Sequence, residues 1–450
     1  MKKLFGRSGL RRSSVAAAAV ATALVLSACS GGGGSSSTSA GSASDLTAAL
    51  QVGGELTYWS WTPSAKAQVA AFEKAYPKVK VNLVNAGTNT AEYTKLQNAI
   101  AAGSGAPDVA QVEYYAIPQF ALAHSLVDLT GYGFGDLKGS YSTGPWGSVN
   151  FSNGIWGLPQ DSGPMAMLYN KTLFDKYGIA VPTTWDEYIA AAKTLHAADP
   201  SAYIAADNGG DAGFATSMIW QAGGAPFAVD GTKLTVNLHD DGSKKWANTW
   251  STLVSNKLVS PVATWSDDWY RSLGQNKVGT LLMGAWMPGI LESSLPAGAG
   301  AWRVAPMPTY DGKPVTAENG GGGDVVLKQS KKPALAAAFL KWLNSNPTSI
   351  STFLASGGFP STTADLKSND FLNAAPAYFG GQKINKVLVD ASADVPKGWK
   401  YLPYQVYAIS IYGDTVGKAY TTGGDINAGL RAWQKELTDY GNQQGFSVNG

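Results

Sequence analysis

"WGLPQDSGPMAMLYNK" (residues 156–171) holds a glycine-proline turn, a single carboxylate, Asp161, and then an apolar run that ends in Tyr169, Asn170 and Lys171. An acid beside aromatics suits a catalytic acid, a ligand contact or a structural turn, and the surrounding pattern decides among them. Upstream, "ELTYWSW" (55–61) reads as a buried strand, and Thr62-Pro63 suits a helix N-cap and first position, with Val69, Phe72 and Tyr76 continuing one helical face. "VKVNLV" (79–84) alternates as a strand does, 92–102 reads as a helix, and "PDVAQV" (107–112) as another short strand. Strand, helix, strand, helix, strand predicts an α/β fold with a largely parallel sheet.

Downstream the alternation continues. "TTWDEY" (183–188) carries a capping box, Thr184 with Glu187, that opens a helix to about Ala198. "GTKLTVNL" (231–238) reads as one arm of a hairpin, "KVGTLLMGAW" (277–286) as a strand running into a tryptophan-bearing turn, and "KKPALAAAFLKWLNS" (331–345) as a helix. Further helices are expected around 404–420 and 425–440. Asp240-Asp241 and Asp267-Asp268 suit helix starts, where acids meet the positive end of the dipole. No internal repeat is present.

The first residues set the compartment. Lys2, Lys3, Arg7, Arg11 and Arg12 precede an apolar run from Val15 to Leu26, which is too short for the roughly 20 residues of a membrane span. Basic, then apolar, then small residues is the order of a secretory signal. The surroundings of Arg11-Arg12 fit a twin-arginine signal poorly, so ordinary secretion is expected. The run closes on "LSAC", which resembles the bacterial lipobox, with Cys29 as the lipidated residue of a mature chain. Cys29 is the single cysteine of the sequence, so no intrachain disulfide or CxxC site exists. Residues 30–44 are entirely Gly, Ser, Ala and Thr and read as a tether with a root-mean-square span of roughly 20 Å. Removing residues 1–28 leaves 422 residues and lowers the formal charge from +2 to −3, so nucleic acid is not an expected partner. That length holds two domains. Charged residues make up only 15% of the chain while aromatics reach 11%, with 15 tryptophans, which supplies many flat apolar faces.

"GIWGLPQDSGPMAMLYNKTLFDKYGIAVPTTWDEY" (154–188) resembles the middle of the extracellular sugar-binding proteins that serve bacterial ABC importers, whose pattern is GxxGLP…YNKxLFxxxGxxxPxTWxE. "NKVGTLLMGAWMPGI" (276–290) is similar to that family's GxxAMxxxGxW turn, with Thr280 in place of the usual alanine. "VAPMPTYDGKPVTAENGGGGDVVLKQSKKPALAAAFLKWL" (304–343) resembles its return segment, with a longer glycine run at 320–323, and "GGFPST" (357–362) its third crossing. The resemblance covers nearly all of 53–440. It implies a two-lobed clamshell of the periplasmic-binding-protein type with three hinge crossings, near 157–163, 306–311 and 356–361. Lobe 1 would be 51–160 plus 308–357, and lobe 2 would be 161–307 plus 358–450, after a signal peptide (1–28) and a lipidated tether (29–50). It further implies a monomer on the outer face of the membrane, a carbohydrate ligand, permease subunits as partners, no cofactor, no metal and no catalysis.

Candidate ligand contacts follow from strand ends, where open α/β sheets bind ligands, and from the family motifs. Sugars present apolar faces to aromatic rings and hydroxyls to carboxylates and amides. Trp286, matching the family's stacking tryptophan, leads. Trp59 and Trp61 flank Ser60 at the end of the first strand, and only one of the pair is expected to reach a ligand. Glu113 ends the third strand and Asp161 lies in the first crossing. Trp220, Asn319 with Gly320, and Tyr404 with Tyr401 complete the set. Each tryptophan has a core role as its alternative, and each acid a capping or hinge role.

Enzyme signals are thin. His124, His196 and His239 are scattered, "GYGFGDLKG" (131–139) is no dinucleotide fingerprint, and "DNGGDAG" (207–213) lacks the acid spacing of a calcium loop. Two alternatives stay open on the sequence: a secreted glycoside hydrolase using Asp161 and Glu113 as paired carboxylates, and a receptor for another solute such as a polyol or a phosphorylated glycerol.

Overall fold

The computed structural model describes residues 41–450. Among them, one sheet is built in the order Val79–Val84, Gly54–Trp59, Val109–Glu113, Gly322–Val326, Leu158–Pro159. The first three strands are parallel, as the strand–helix alternation requires. The last two run antiparallel to their neighbours. They come from where the chain leaves this layer at 158–159 and returns at 322–326, a pairing that no local pattern announces. Helices Ala65–Ala75 and Pro333–Ser345 cover one face, and Phe339 is the joint between them, 4.8 Å from Phe72 and 5.3 Å from Tyr58 between ring centroids. The first of these helices begins later than Thr62-Pro63 suggests, because the Thr62 amide and hydroxyl are both committed to Gln111 of the third strand.

The segment expected to be tether up to residue 50 is in part folded. Helix Ala43–Val52 starts where the Ser42 amide donates to the Asp45 carboxylate, 2.7 Å, buries Leu46, and packs on helix Pro333–Ser345. Glycine and serine thin out from Ala43 onward, and Leu46, Ala49 and Leu50 supply a packing face. Cys29 and the residues before it lie outside the described residues.

A second, three-stranded antiparallel sheet has "MAMLYN" (Met165–Asn170) at its centre, flanked by Thr280–Gly284 and Trp302–Ala305. Side chains alternate across a strand. Met165 and Met167 accordingly enter one core, with Trp185, Trp250 and Trp433, while Ala166 and Leu168 enter another, with Trp269, Trp302 and Phe359. Burial on both faces is why this stretch reads as an unbroken apolar run. A separate core, with Leu56, Tyr58, Phe72 and Phe339, belongs to the first sheet. The described chain is thus two-lobed and mixed α/β. The helix expected around 404–420 is two, Gln405–Ser410 and Tyr412–Thr422, and Val406 of the first reaches the core of the other lobe.

Three segments run side by side between the lobes. Asp161 bridges to Pro360 and Pro164 to Glu318, and the Asn319 amide donates to the Gly163 carbonyl, 2.8 Å. The middle crossing is therefore displaced from the expected 306–311 to 318–321. Met307 and Ala317 both belong to the core of Trp185, and Thr309 is held beside Thr184, so this stretch stays with the second lobe.

The first lobe carries buried acids. Asp324 is fully buried, its two oxygens accepting from Tyr58 Oη and Asn344 Nδ2, each at 2.8 Å, and burial pushes its pKa up to about 7. Glu92 is fully buried with neither carboxylate oxygen hydrogen-bonded, and burial, aided by Asp324 and Glu113 and opposed by Lys95, raises it to about 8. Both values exceed the ordinary carboxylate range of about 4. Between about pH 4 and pH 8 the folded state therefore binds protons that the unfolded state has released, and stability falls as pH rises. The melting temperature should be higher at pH 5 than at pH 8. Glu92→Gln, which cannot ionise, should raise it at pH 8 and flatten the profile. A profile rising toward pH 8, or one unchanged in the variant, would contradict the assignment.

Candidate ligand-binding site

A cavity of about 760 Å³ opens between the lobes. From the first lobe come Trp61, Thr62, Glu113 and Tyr115. From the second come Asp211, Trp220 and Trp286, with Asn319 and Gly320 from the middle crossing. The sequence brings these together because the first-lobe residues follow strand ends, and because the return segment threads past the floor.

Gln111 organises the first-lobe wall. Its Oε1 accepts from Ser60 Oγ at 2.7 Å, Thr62 Oγ1 at 2.8 Å and the Trp61 amide at 3.1 Å. Ser60 is thereby buried as a brace and does not line the cavity, contrary to expectation. Trp59 also falls outside the lining, because it is still within the strand and packs against the first-lobe core, whereas Trp61 lies beyond the strand end and reaches the cavity. Glu113 accepts from Tyr93 Oη at 3.1 Å. Burial raises its pKa to about 7; Tyr115 and Tyr93 oppose this as hydrogen-bond donors, and Asp161 and Asp211 add to it as like charges.

Asp161, the acid of the opening stretch, lines the cavity but works as a hinge brace. Its Oδ1 accepts from the Gly322 amide at 2.6 Å and its carbonyl from Tyr114 Oη at 2.7 Å, while burial raises its pKa to about 6. Asn319 is a brace as well: its Nδ2 donates to Ser217 Oγ at 3.2 Å and its carbonyl accepts from Trp286 Nε1 at 2.6 Å. The glycines explain how that tryptophan fits. A Cβ at Gly284 would lie 2.4 Å from Trp286 Nε1, and one at Gly320, whose φ is +71°, would lie 3.0 Å from it. Only glycine lets the backbone pass so close to the ring. Trp220 stacks on Trp399 at 4.9 Å and 11° and shows its remaining surface to the cavity. Tyr404 is misplaced by the sequence reading. It is buried with its hydroxyl donating to the Leu437 carbonyl at 3.0 Å, and its neighbour Tyr401 lines the cavity instead.

Sequence reasoning missed Asp207, Asp211 and Trp265, all of which line the cavity. Asp207 is spent: it accepts from Trp250 Nε1 at 2.7 Å, Tyr420 Oη at 2.8 Å and the Gly209 amide at 2.8 Å. Asp211 caps helix Ala212–Gln221 through one oxygen, accepting from the Phe214 amide at 2.8 Å. The available signal was the position of "DNGGDAG" between a short strand, Ala205–Ala206, and a helix, where ligands gather. Four carboxylates therefore face the cavity, and among the described residues no Lys, Arg or His does. Such a lining accepts hydrogen bonds from hydroxyls and brings no cationic side chain to pair with a phosphate.

Comparison with known proteins decides the family. The model of the bacterial extracellular solute-binding protein family matches residues 58–349. The chain belongs to that family. A solved ABC-transporter-associated binding protein from B. animalis subsp. lactis Bl-04, in complex with β-1,6-galactobiose, is 45% identical, with a TM-score of 0.83 over 88% of this chain and 99% of that one. The galacto-N-biose-/lacto-N-biose I-binding protein of the ABC transporter from Bifidobacterium longum, in complex with lacto-N-biose, is 29% identical, with a TM-score of 0.77 over 88% and 99%. An arabinooligosaccharide-binding protein of Bacillus subtilis is 25% identical over 79% of this chain and 85% of its own.

As a solute-binding protein, the chain is a transport component and not a hydrolase. Its cleft acids fit that role: Asp161 and Asp207 are committed to backbone and indole donors rather than poised across a bond. Among the described residues no group of three or more His, Cys, Asp or Glu could hold a metal ion.

Proposed function

We propose that this solute-binding protein is the lipid-anchored receptor of an ABC importer for a galactose-containing disaccharide or short oligosaccharide. The observation that carries the reading is the cavity lining itself: tryptophans, Trp61, Trp220 and Trp286 among them, set among carboxylate acceptors with no cation from the described residues. The likeness to a binding protein solved in complex with β-1,6-galactobiose supports the choice of sugar. Rings in such a lining stack on the C–H faces of a pyranose, and Glu113 and Asp211 accept from its hydroxyls from opposite lobes. Ligand shifts the lobes toward closure because it gains contacts with both walls only when they approach. The segments 160–164, 318–321 and 357–361 serve as the hinges, and the closed form is the one that a permease reads. Cys29 carries the anchor, so Cys29→Ser should move the protein from the membrane fraction to the medium.

Titration calorimetry and thermal melts with β-1,6-galactobiose, lacto-N-biose, arabino-oligosaccharides and maltose test the ligand. The galactoside should bind and should stabilise by about 2.7 kcal/mol at a hundred times its Kd. Absence of heat and of any thermal shift with the whole set would refute a sugar receptor. Tight binding of an arabino-oligosaccharide alone would refute the galactoside.

A further inference from the structure

Trp265 lines the cavity. It stands in the loop before helix Asp267–Gly274, its backbone in the left-handed region at φ +70°, and it is 43% exposed. Of the large apolar side chains exposed among the described residues, it is the one that lines the cavity. A bulky aromatic is disfavoured both in that backbone region and in water. Its surroundings nevertheless hold it there. Ser266 caps the helix, its Oγ accepting from the Trp269 amide at 3.2 Å and donating to the Ala263 carbonyl at 2.7 Å, which fixes the loop on both sides of the ring. Fully buried Trp269 supports the Trp265 ring from 5.1 Å, and Trp286 meets it at 5.7 Å with a tilt of 38°. Trp286 is itself fixed by its bond to Asn319. Two ring planes thus form an open corner that runs from the cavity wall to its solvent rim.

We propose that Trp265 is an outer stacking platform, which seats the saccharide unit next to the one on Trp286 and so selects for a longer chain. A held, exposed ring costs the free protein surface burial and returns it only when an apolar face covers it. A sugar unit leaving the inner platform at a glycosidic angle meets a second plane tilted in the same sense. Because the corner opens to solvent, the selection is for an additional unit and not for a fixed length. The inference rests on the sugar-receptor reading above.

The test compares the wild type with Trp265→Ala and Trp265→Gly, the latter free of the left-handed backbone penalty. Calorimetry is run with β-1,6-linked galacto-oligosaccharides of two, three and four units, and with arabino- and malto-oligosaccharide series in parallel. The wild type should gain about tenfold in affinity at one added unit, and both variants should lose most of that gain while the disaccharide Kd moves by less than about threefold. Equal gains in wild type and variants overturn the proposal, as does a wild type with no gain on lengthening. Unchanged sugar affinities with lost uptake in cells would place Trp265 against the permease and overturn it too. A wild type that binds none of the series overturns the receptor reading itself and this inference with it.

Discussion

Trp286→Ala should weaken ligand binding by about thirtyfold or more while leaving the fold largely intact. The ring lines the cavity, is only partly buried, and is oriented by its 2.6 Å bond to the Asn319 carbonyl. Removing an aromatic anchor from a desolvated pocket commonly costs about 2 kcal/mol or more of binding, and about 1.4 kcal/mol is tenfold in Kd. The stability loss should stay well below the roughly 3–5 kcal/mol of a core tryptophan truncation. Paired calorimetry and denaturant melts separate the two quantities. Unchanged affinity in a destabilised variant would return Trp286 to the core and remove the best residue from the cleft.

The opposite result is expected of Trp250→Ala, although Trp250 also borders the cavity. Its side chain is fully buried, lies 6.2 Å from Trp185 and 5.1 Å from Phe214 between centroids, and donates to Asp207. Truncation should cost about 3–5 kcal/mol of unfolding free energy from lost packing and the void left behind. Asp207 would also lose one of its donors in a buried site, where an unmet acceptor adds to the cost. A denaturant midpoint close to that of the wild type would show that the second-lobe core closes around the void and that Trp250 does not anchor it. Side by side, the two variants distinguish a tryptophan that waits for a ligand from one that already has its partners.

That distinction marks where the sequence stops. "VKVNLV" alternates and is the strand Val79–Val84, while Thr184 and Glu187 form the capping box that opens helix Trp185–Ala198. The motif in 154–188 carried the family, and with it the clamshell and the central strand "MAMLYN". These succeed because a period or a cap is a property of neighbours along the chain. The middle crossing was placed about ten residues too early, because nothing local in 307–317 says which lobe it joins, and only the packing of Met307 and Ala317 into the core of Trp185 assigns it to the second.

The site was legible in part. Trp61, Glu113, Asp161, Trp220, Trp286, Asn319 and Gly320 do converge on one cavity, and all but Trp220 lie at strand ends or in segments that the family motifs covered. Trp59, Ser60 and Tyr404 do not, and Asp211 and Trp265 were not foreseen. The sequence by itself determined many of the elements, the family and the aromatic, cation-poor stock of side chains from which a cleft could be lined. Tertiary structure alone decided which rings face that cleft, which acids are consumed by hydrogen bonds, and where the lobes divide. Local pattern records that a side chain is to be covered. It does not record whether the cover is the other lobe, a neighbouring helix or a ligand, because that depends on chain segments hundreds of residues apart meeting in space.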